Sequence, residues 1–189
     1  MKLTVPTMLT LLRIALIPVL VLVFYLPFKW TSIAAAAIFA FASFTDWADG
    51  WIARRYNQFS AFGAFLDPVA DKLMVAVALM LTVQKHPTVW MTLWAAVIIG
   101  REIAVSALRE WMAEVGQRSK VKVATLGKVK TVVQMLALVF LLYQKPLFGL
   151  PIFTIGEWLL AAAALLTLWS GFAYLRAAWP SLKAEERNS

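Results

Sequence analysis

The sequence predicts an all-α, polytopic membrane protein with six transmembrane helices and both termini on the cytoplasmic side. Three observations predict it. Hydrophobic residues make up 62% of the 189 and charged residues only 15%, against about 25% charged in an average soluble domain. The apolar residues gather into six stretches, each near the roughly 20 residues that a membrane helix needs. The basic residues fall almost wholly on one side of that layout, which the positive-inside rule makes the cytoplasmic side.

The first span covers roughly 8–27. Its apolar run from Ile14 to Phe28 has no small-residue cleavage site after it, so it reads as a retained helix rather than a secretion signal. The second and third, roughly 31–55 and 60–84, are separated by the polar break "YNQFS", with Ser60 placed as an N-cap. "LPFKW" before the second span and "KHPT" after the third contain prolines that cannot continue a helix. The fourth runs over roughly 88–111 and the fifth over roughly 121–143. The loop "QKPLFGLPIFTIG" leads to the sixth, roughly 153–178. No repeat or composition shift divides the chain, so residues 1–189 form one domain.

Of the eighteen Lys and Arg residues, only Lys29, Lys85 and Lys145 fall on the far side, and of the ten acids only Glu157 does. Nearly all the chemistry therefore faces the cytoplasm. A net charge of +8 would suit a nucleic acid. Here the basic residues alternate with apolar spans, so anionic membrane lipid is the expected partner and nucleic acid is not. The chain has no cysteine, which excludes disulfides and thiolate metal sites. Trp30, Trp90 and Trp179 near span ends read as interface anchors, and Ala34–Ala37 and Ala161–Ala164 as surfaces for close helix packing.

Against that background, "TDWADGWIARRYNQFSAFGAFLDPVAD" carries four aspartates, Asp46, Asp49, Asp67 and Asp71. On the second helix, Asp46, Asp49, Gly50, Ala53 and Arg54 share one face; on the third, Gly63, Asp67 and Asp71 do. The short turn after Arg55 makes the two helices antiparallel neighbours, so the four carboxylates converge near the cytoplasmic boundary. Ionised carboxylates that close repel one another, and a divalent cation relieves the repulsion. Ligands that are all oxygen suit a hard ion, Mg²⁺ or Mn²⁺. The same ion, with Arg54 and the small residues Gly50 and Ala53 beside it, suits a phosphate-bearing ligand. A plainer alternative has these acids solvating a helix end or pairing with Arg54, Arg55 and Lys72. Ionisable residues within membrane segments nevertheless point to function.

The intervals Asp46–Asp49–Gly50–Ala53–Arg54–Gly63–Asp67–Asp71 meet in full the pattern D-x2-D-G-x2-A-R-x8-G-x3-D-x3-D, and this resembles the signature of the CDP-alcohol phosphatidyltransferases. "PTMLTLLRIALIP", "REIAVSALREW" and "GKVKTVVQM" look like stretches of bacterial members whose acceptor is sn-glycerol 3-phosphate. One departure is Thr7, where many members carry Asn.

The resemblance implies a phosphatidyl transfer from CDP-diacylglycerol to sn-glycerol 3-phosphate, with CMP as the other product. It implies that Asp46, Asp49, Asp67 and Asp71 hold Mg²⁺ or Mn²⁺, and that Asp71 is also the general base. Asp49, Gly50, Ala53, Arg54 and Gly63 would bind the CDP-diacylglycerol head. Arg109 and Lys128 would meet the acceptor's phosphate. Lys130 joins them, because a cation at a helix start is locally unhelpful unless it binds an anion. Arg101 and Glu102 read either as an internal ion pair or as walls of the acceptor pocket. The resemblance further implies a homodimer in the bacterial cytoplasmic (inner) membrane, with its site facing the cytoplasm. Two rivals stay open: a sibling enzyme acting on inositol phosphate, serine or phosphatidylglycerol, and a divalent-cation transporter.

Overall fold

The computed structural model describes residues 4–58, 60–114 and 125–186. Among them are six α-helices: α1 Val5–Tyr25, α2 Thr31–Tyr56, α3 Ala61–Lys85, α4 Val89–Glu114, α5 Thr125–Tyr143 and α6 Ile152–Glu186. Their starts and stops follow local chemistry. Pro6 stands in the first turn of α1, where its missing N–H costs nothing. Asn57 ends α2 in the left-handed region at φ 55°, a conformation asparagine tolerates. Ser60 caps α3 as expected, its side chain accepting from the Gly63 N–H at 3.0 Å. Between α5 and α6, Phe148 and Gly149 turn the chain at φ 52° and 79°.

The helices pack in a closed circuit: α1 against α2, α2 against α5, α5 against α6, α6 against α4, α4 against α3, and α3 back against α1. The order corrects one expectation. α2 and α3 follow one another but touch only lightly, because α1 packs between them. The start of α1 lies beside the start of α3, where Thr7 Oγ1 and Ser60 Oγ share a 2.8 Å hydrogen bond. At the other ends of the same helices, Tyr25 Oη donates to Gln84 Oε1 at 2.7 Å. There, too, Lys145 Nζ donates to the Lys29 carbonyl at 2.5 Å and ties the α5–α6 connection to the α1–α2 turn. The buried core is built from Leu20, Phe39, Met74, Leu79, Ile98, Leu138 and Leu160, with small residues such as Ala35, Ala36 and Ala164 at close approaches. Trp30, Trp90, Trp158, Trp169 and Trp179 are all exposed.

Four stretches, Val5–Tyr25, Thr31–Tyr56, Val89–Ala113 and Ile152–Arg176, are long and apolar enough to cross a membrane. The apolar part of α5, Val129–Tyr143, is shorter. α3 falls short because Asp67, Asp71 and Lys72 interrupt its apolar surface. α6 runs past the expected end to Glu186, since nothing in "LRAAWPSLKAEE" but Pro180 opposes a helix.

Candidate functional site

α1 contributes one polar side chain that governs the site. Arg13 is 1% exposed and is the one charged residue of α1. Its Nη1 reaches Asp46 Oδ1 at 2.8 Å and Asp67 Oδ1 at 3.2 Å, and its Nη2 reaches Asp49 Oδ2 at 2.5 Å. One guanidinium thus bridges α2 and α3 across α1. The fork geometry suits this, since a guanidinium presents donors along two edges.

Asp46, Asp49 and Asp67 offer carboxylate oxygens that all lie within 4.8 Å of one another. Asp49 is buried, whereas Asp46 and Asp67 are partly open. The group passes a simple test for a hard cation. Its donors are all oxygen, they lie within reach of a single ion, and two of them keep an open side. Asp71 is not in the group. It lies one turn further along α3 and interacts electrostatically with Asp46, Arg13, Glu102 and Asp67. Its side chain makes no hydrogen bond or ion pair among the described residues.

Beside the acids opens a cavity of about 260 Å³. Asp49, Gly50, Ala53, Arg54 and Gly63, the five residues expected to hold a nucleotide head, all line it, together with Thr7 and Asp67. Both glycines also stand against side chains of the protein itself. A Cβ on Gly50 would stand 3.3 Å from Arg54 Nη1, so Gly50 makes room for the arginine that folds back over it. A Cβ on Gly63 would stand 2.8 Å from Thr7 Oγ1 and 2.9 Å from Ser60 Oγ. Thr7, also 2.9 Å from Thr4 Oγ1, belongs to a hydroxyl chain that joins α1 to the cap of α3. Gly63→Ala is therefore expected to break the cap and to cost about 1–2 kcal/mol. Gly50→Ala, which faces only a flexible side-chain end, should cost under about 1 kcal/mol. Thermal unfolding in detergent, followed by circular dichroism, checks the contrast.

A second cavity, about 200 Å³, lies where α3, α4, α5 and α6 meet. Asp71, Arg109 and Lys130 line it, with Arg101, Glu102 and Ser106. Lys130 is buried and Arg109 exposed. The side chain of Lys128 lies outside the described residues, as do Arg118, Lys120 and Lys122. Arg101 and Glu102 do not form the ion pair that was one expectation. Arg101 turns to α6, where its Nε donates to the Thr167 carbonyl at 3.1 Å and its Nη2 to Ser170 Oγ at 2.8 Å. It also stands 5.7 Å from the Tyr174 ring centre. Glu102 Oε1 instead accepts from Gln134 Nε2 at 3.4 Å.

A family profile for CDP-alcohol phosphatidyltransferases matches residues 3–169. The chain belongs to that family. Among curated CDP-alcohol phosphatidyltransferases, it is 57% identical to the CDP-diacylglycerol–glycerol-3-phosphate 3-phosphatidyltransferase of Pseudomonas fluorescens, over 97% of this chain and 94% of that protein. It is 56% identical to the protein of that name from Pectobacterium atrosepticum, over 94% and 96% of the two chains. For the Yersinia pestis protein of that name the identity is 55%, over 96% and 98%.

The residue whose role sequence reasoning missed in this CDP-alcohol phosphatidyltransferase is Arg13, which entered there as a topological charge and as one letter of "PTMLTLLRIALIP". Its signal was present: a lone arginine between Leu12 and Ile14, and a charge set within a membrane segment needs a partner. Ser106 was missed as well, and a helical serine between Val105 and Ala107 offers no comparable signal.

Proposed function

We propose that the chain transfers the phosphatidyl group of CDP-diacylglycerol to sn-glycerol 3-phosphate, forming phosphatidylglycerophosphate and CMP in phospholipid biosynthesis. The names of its relatives support this reading. The observation that carries it is the placement of Asp71, which lines the cation-rich cavity while standing within electrostatic reach of the acids beside the signature cavity. A donor in one cavity and an acceptor in the other would meet at that carboxylate.

In this mechanism, Arg54 binds the diphosphate, and Gly50, Ala53 and Gly63 shape the room for cytidine. Asp46, Asp49 and Asp67 would hold Mg²⁺ or Mn²⁺, with Asp71 adjoining, and the ion would supply charge neutralisation at the diphosphate and at the departing CMP. Arg109, Lys128 and Lys130 receive the acceptor's phosphate. Asp71 takes the proton from the acceptor's C1 hydroxyl. That oxygen bonds to the phosphorus bearing diacylglycerol as the bond from that phosphorus to the oxygen of CMP breaks. Within the signature there is no Cys or His, and its one Ser, Ser60, is engaged with the Gly63 N–H and with Thr7, so a single displacement is favoured, with positioning and electrostatics supplying most of the rate.

All six helices cross the cytoplasmic (inner) membrane in this reading, with both termini and the site on the cytoplasmic side. The split of basic residues supports it, as does the meeting of Lys29 and Lys145 at the opposite end of the bundle. A homodimer is proposed on the family resemblance alone; cross-linking in native membranes tests it.

The activity is tested with purified protein in detergent, CDP-diacylglycerol and Mg²⁺ or Mn²⁺, offered radiolabelled glycerol 3-phosphate, serine and inositol in parallel. Label is expected in the lipid phase with glycerol 3-phosphate. Label entering only from serine or inositol would defeat the acceptor assignment.

A further inference from the structure

Ser106 sits on α4 at 9% exposure, and its Oγ is buried without a hydrogen-bond partner among the described residues. A helical serine ordinarily bonds to a backbone carbonyl one turn earlier. A buried hydroxyl left unmatched is costly, so an orphan in a wall usually marks a place where something else completes it. This one lines the cavity of Asp71, Arg109 and Lys130. Glu102, one turn before it on α4 and on the same face, lines that cavity as well. Gln134 occupies only one of the two Glu102 oxygens. Among the described residues, the wall therefore presents an unmatched hydroxyl donor one helical turn from a carboxylate with an open oxygen.

We infer that Ser106 and Glu102 together read the C2 hydroxyl of the acceptor and so select its hand. This rests on the acceptor proposed above. An alcohol both accepts and donates: its oxygen accepts a hydrogen bond from the Ser106 hydroxyl, and its own O–H donates one to Glu102. The phosphate goes to Arg109 and Lys130, and the C1 hydroxyl faces Asp71. Three different groups around C2 are then held by three different anchors, which suffices to tell a molecule from its mirror image. A site built to match a hydroxyl also rejects the analogue that lacks it, because its own polar groups are then left unmet.

The test compares wild type with Ser106→Ala and Ser106→Thr on sn-glycerol 3-phosphate, sn-glycerol 1-phosphate and 3-hydroxypropyl phosphate, which lacks the C2 hydroxyl. Wild type is expected to favour the first over the other two by at least about tenfold in kcat/KM. Ser106→Ala should lower kcat/KM for sn-glycerol 3-phosphate by about tenfold and leave 3-hydroxypropyl phosphate within about twofold, so that the preference collapses. Ser106→Thr, which keeps the hydroxyl, should restore it. An equal loss on both acceptors, or none on either, would overturn the inference and leave the acceptor assignment standing. A wild type inactive on sn-glycerol 3-phosphate would overturn both.

Discussion

Arg13→Gln is expected to lower the stability of the folded protein by about 3 kcal/mol, since removing one partner of a buried ion pair strands the other. The Asp49 bridge carries most of that effect. Asp46 and Asp67 are 34% and 44% exposed, so solvent screens their bridges. For a chain of this length the melting temperature falls by roughly 6–12 °C. Turnover falls by about 10²-fold, because carboxylates that lose their common anchor move by distances that matter to a phosphoryl transfer. A titration with Mg²⁺ separates this explanation from general damage. In the variant the ion meets three acids with no resident counter-charge, so it raises the melting temperature more than in wild type. An equal rise in both proteins would show that Arg13 adds nothing to the field at those oxygens. Arg13→Lys should recover only part of the loss, because a single ammonium cannot fork across three carboxylates.

Asp71→Asn is expected to behave in the opposite way. Asp71 is the one signature acid that Arg13 does not grip, and its side chain makes no hydrogen bond or ion pair among the described residues. Little of the fold depends on its charge, so the melting temperature should stay within about 2 °C of wild type, as for a change of under about 0.5 kcal/mol. Turnover should fall by roughly 10²–10⁴-fold, the contribution of a positioned general base. Near-normal turnover would remove Asp71 from that role. Turnover lost together with the fold would mean that its carboxylate holds the helices together.

The contrast between these acids marks the limit of what the sequence discloses. The 3.6-residue period puts Asp46, Asp49 and Gly50 on one face of α2 and Asp67 and Asp71 on one face of α3, and the polar or proline breaks set the helix starts. These are local properties, and the structure has them. Which helix fills the space between α2 and α3 is a tertiary matter, decided by where the apolar surface of α1 packs best. That choice turns Arg13 from a boundary charge into the centre of the acid group. The approach of Thr7 to Gly63 was hidden for the same reason, since Thr7 lies on another helix. Arg101 likewise chose a carbonyl on α6 over its sequence neighbour Glu102, because a helix projects consecutive side chains in different directions.

The guanidinium set among the acids bears on how such a chain is made. During insertion, carboxylates entering the edge of a bilayer must be neutralised or left in water, and an ion drawn from solution would make assembly hostage to its supply. A counter-charge delivered by α1, which emerges ahead of α2 and α3, removes that dependence. The bundle can close around its own cation before it meets any ligand, and an ion that binds later would exchange partners within a finished protein.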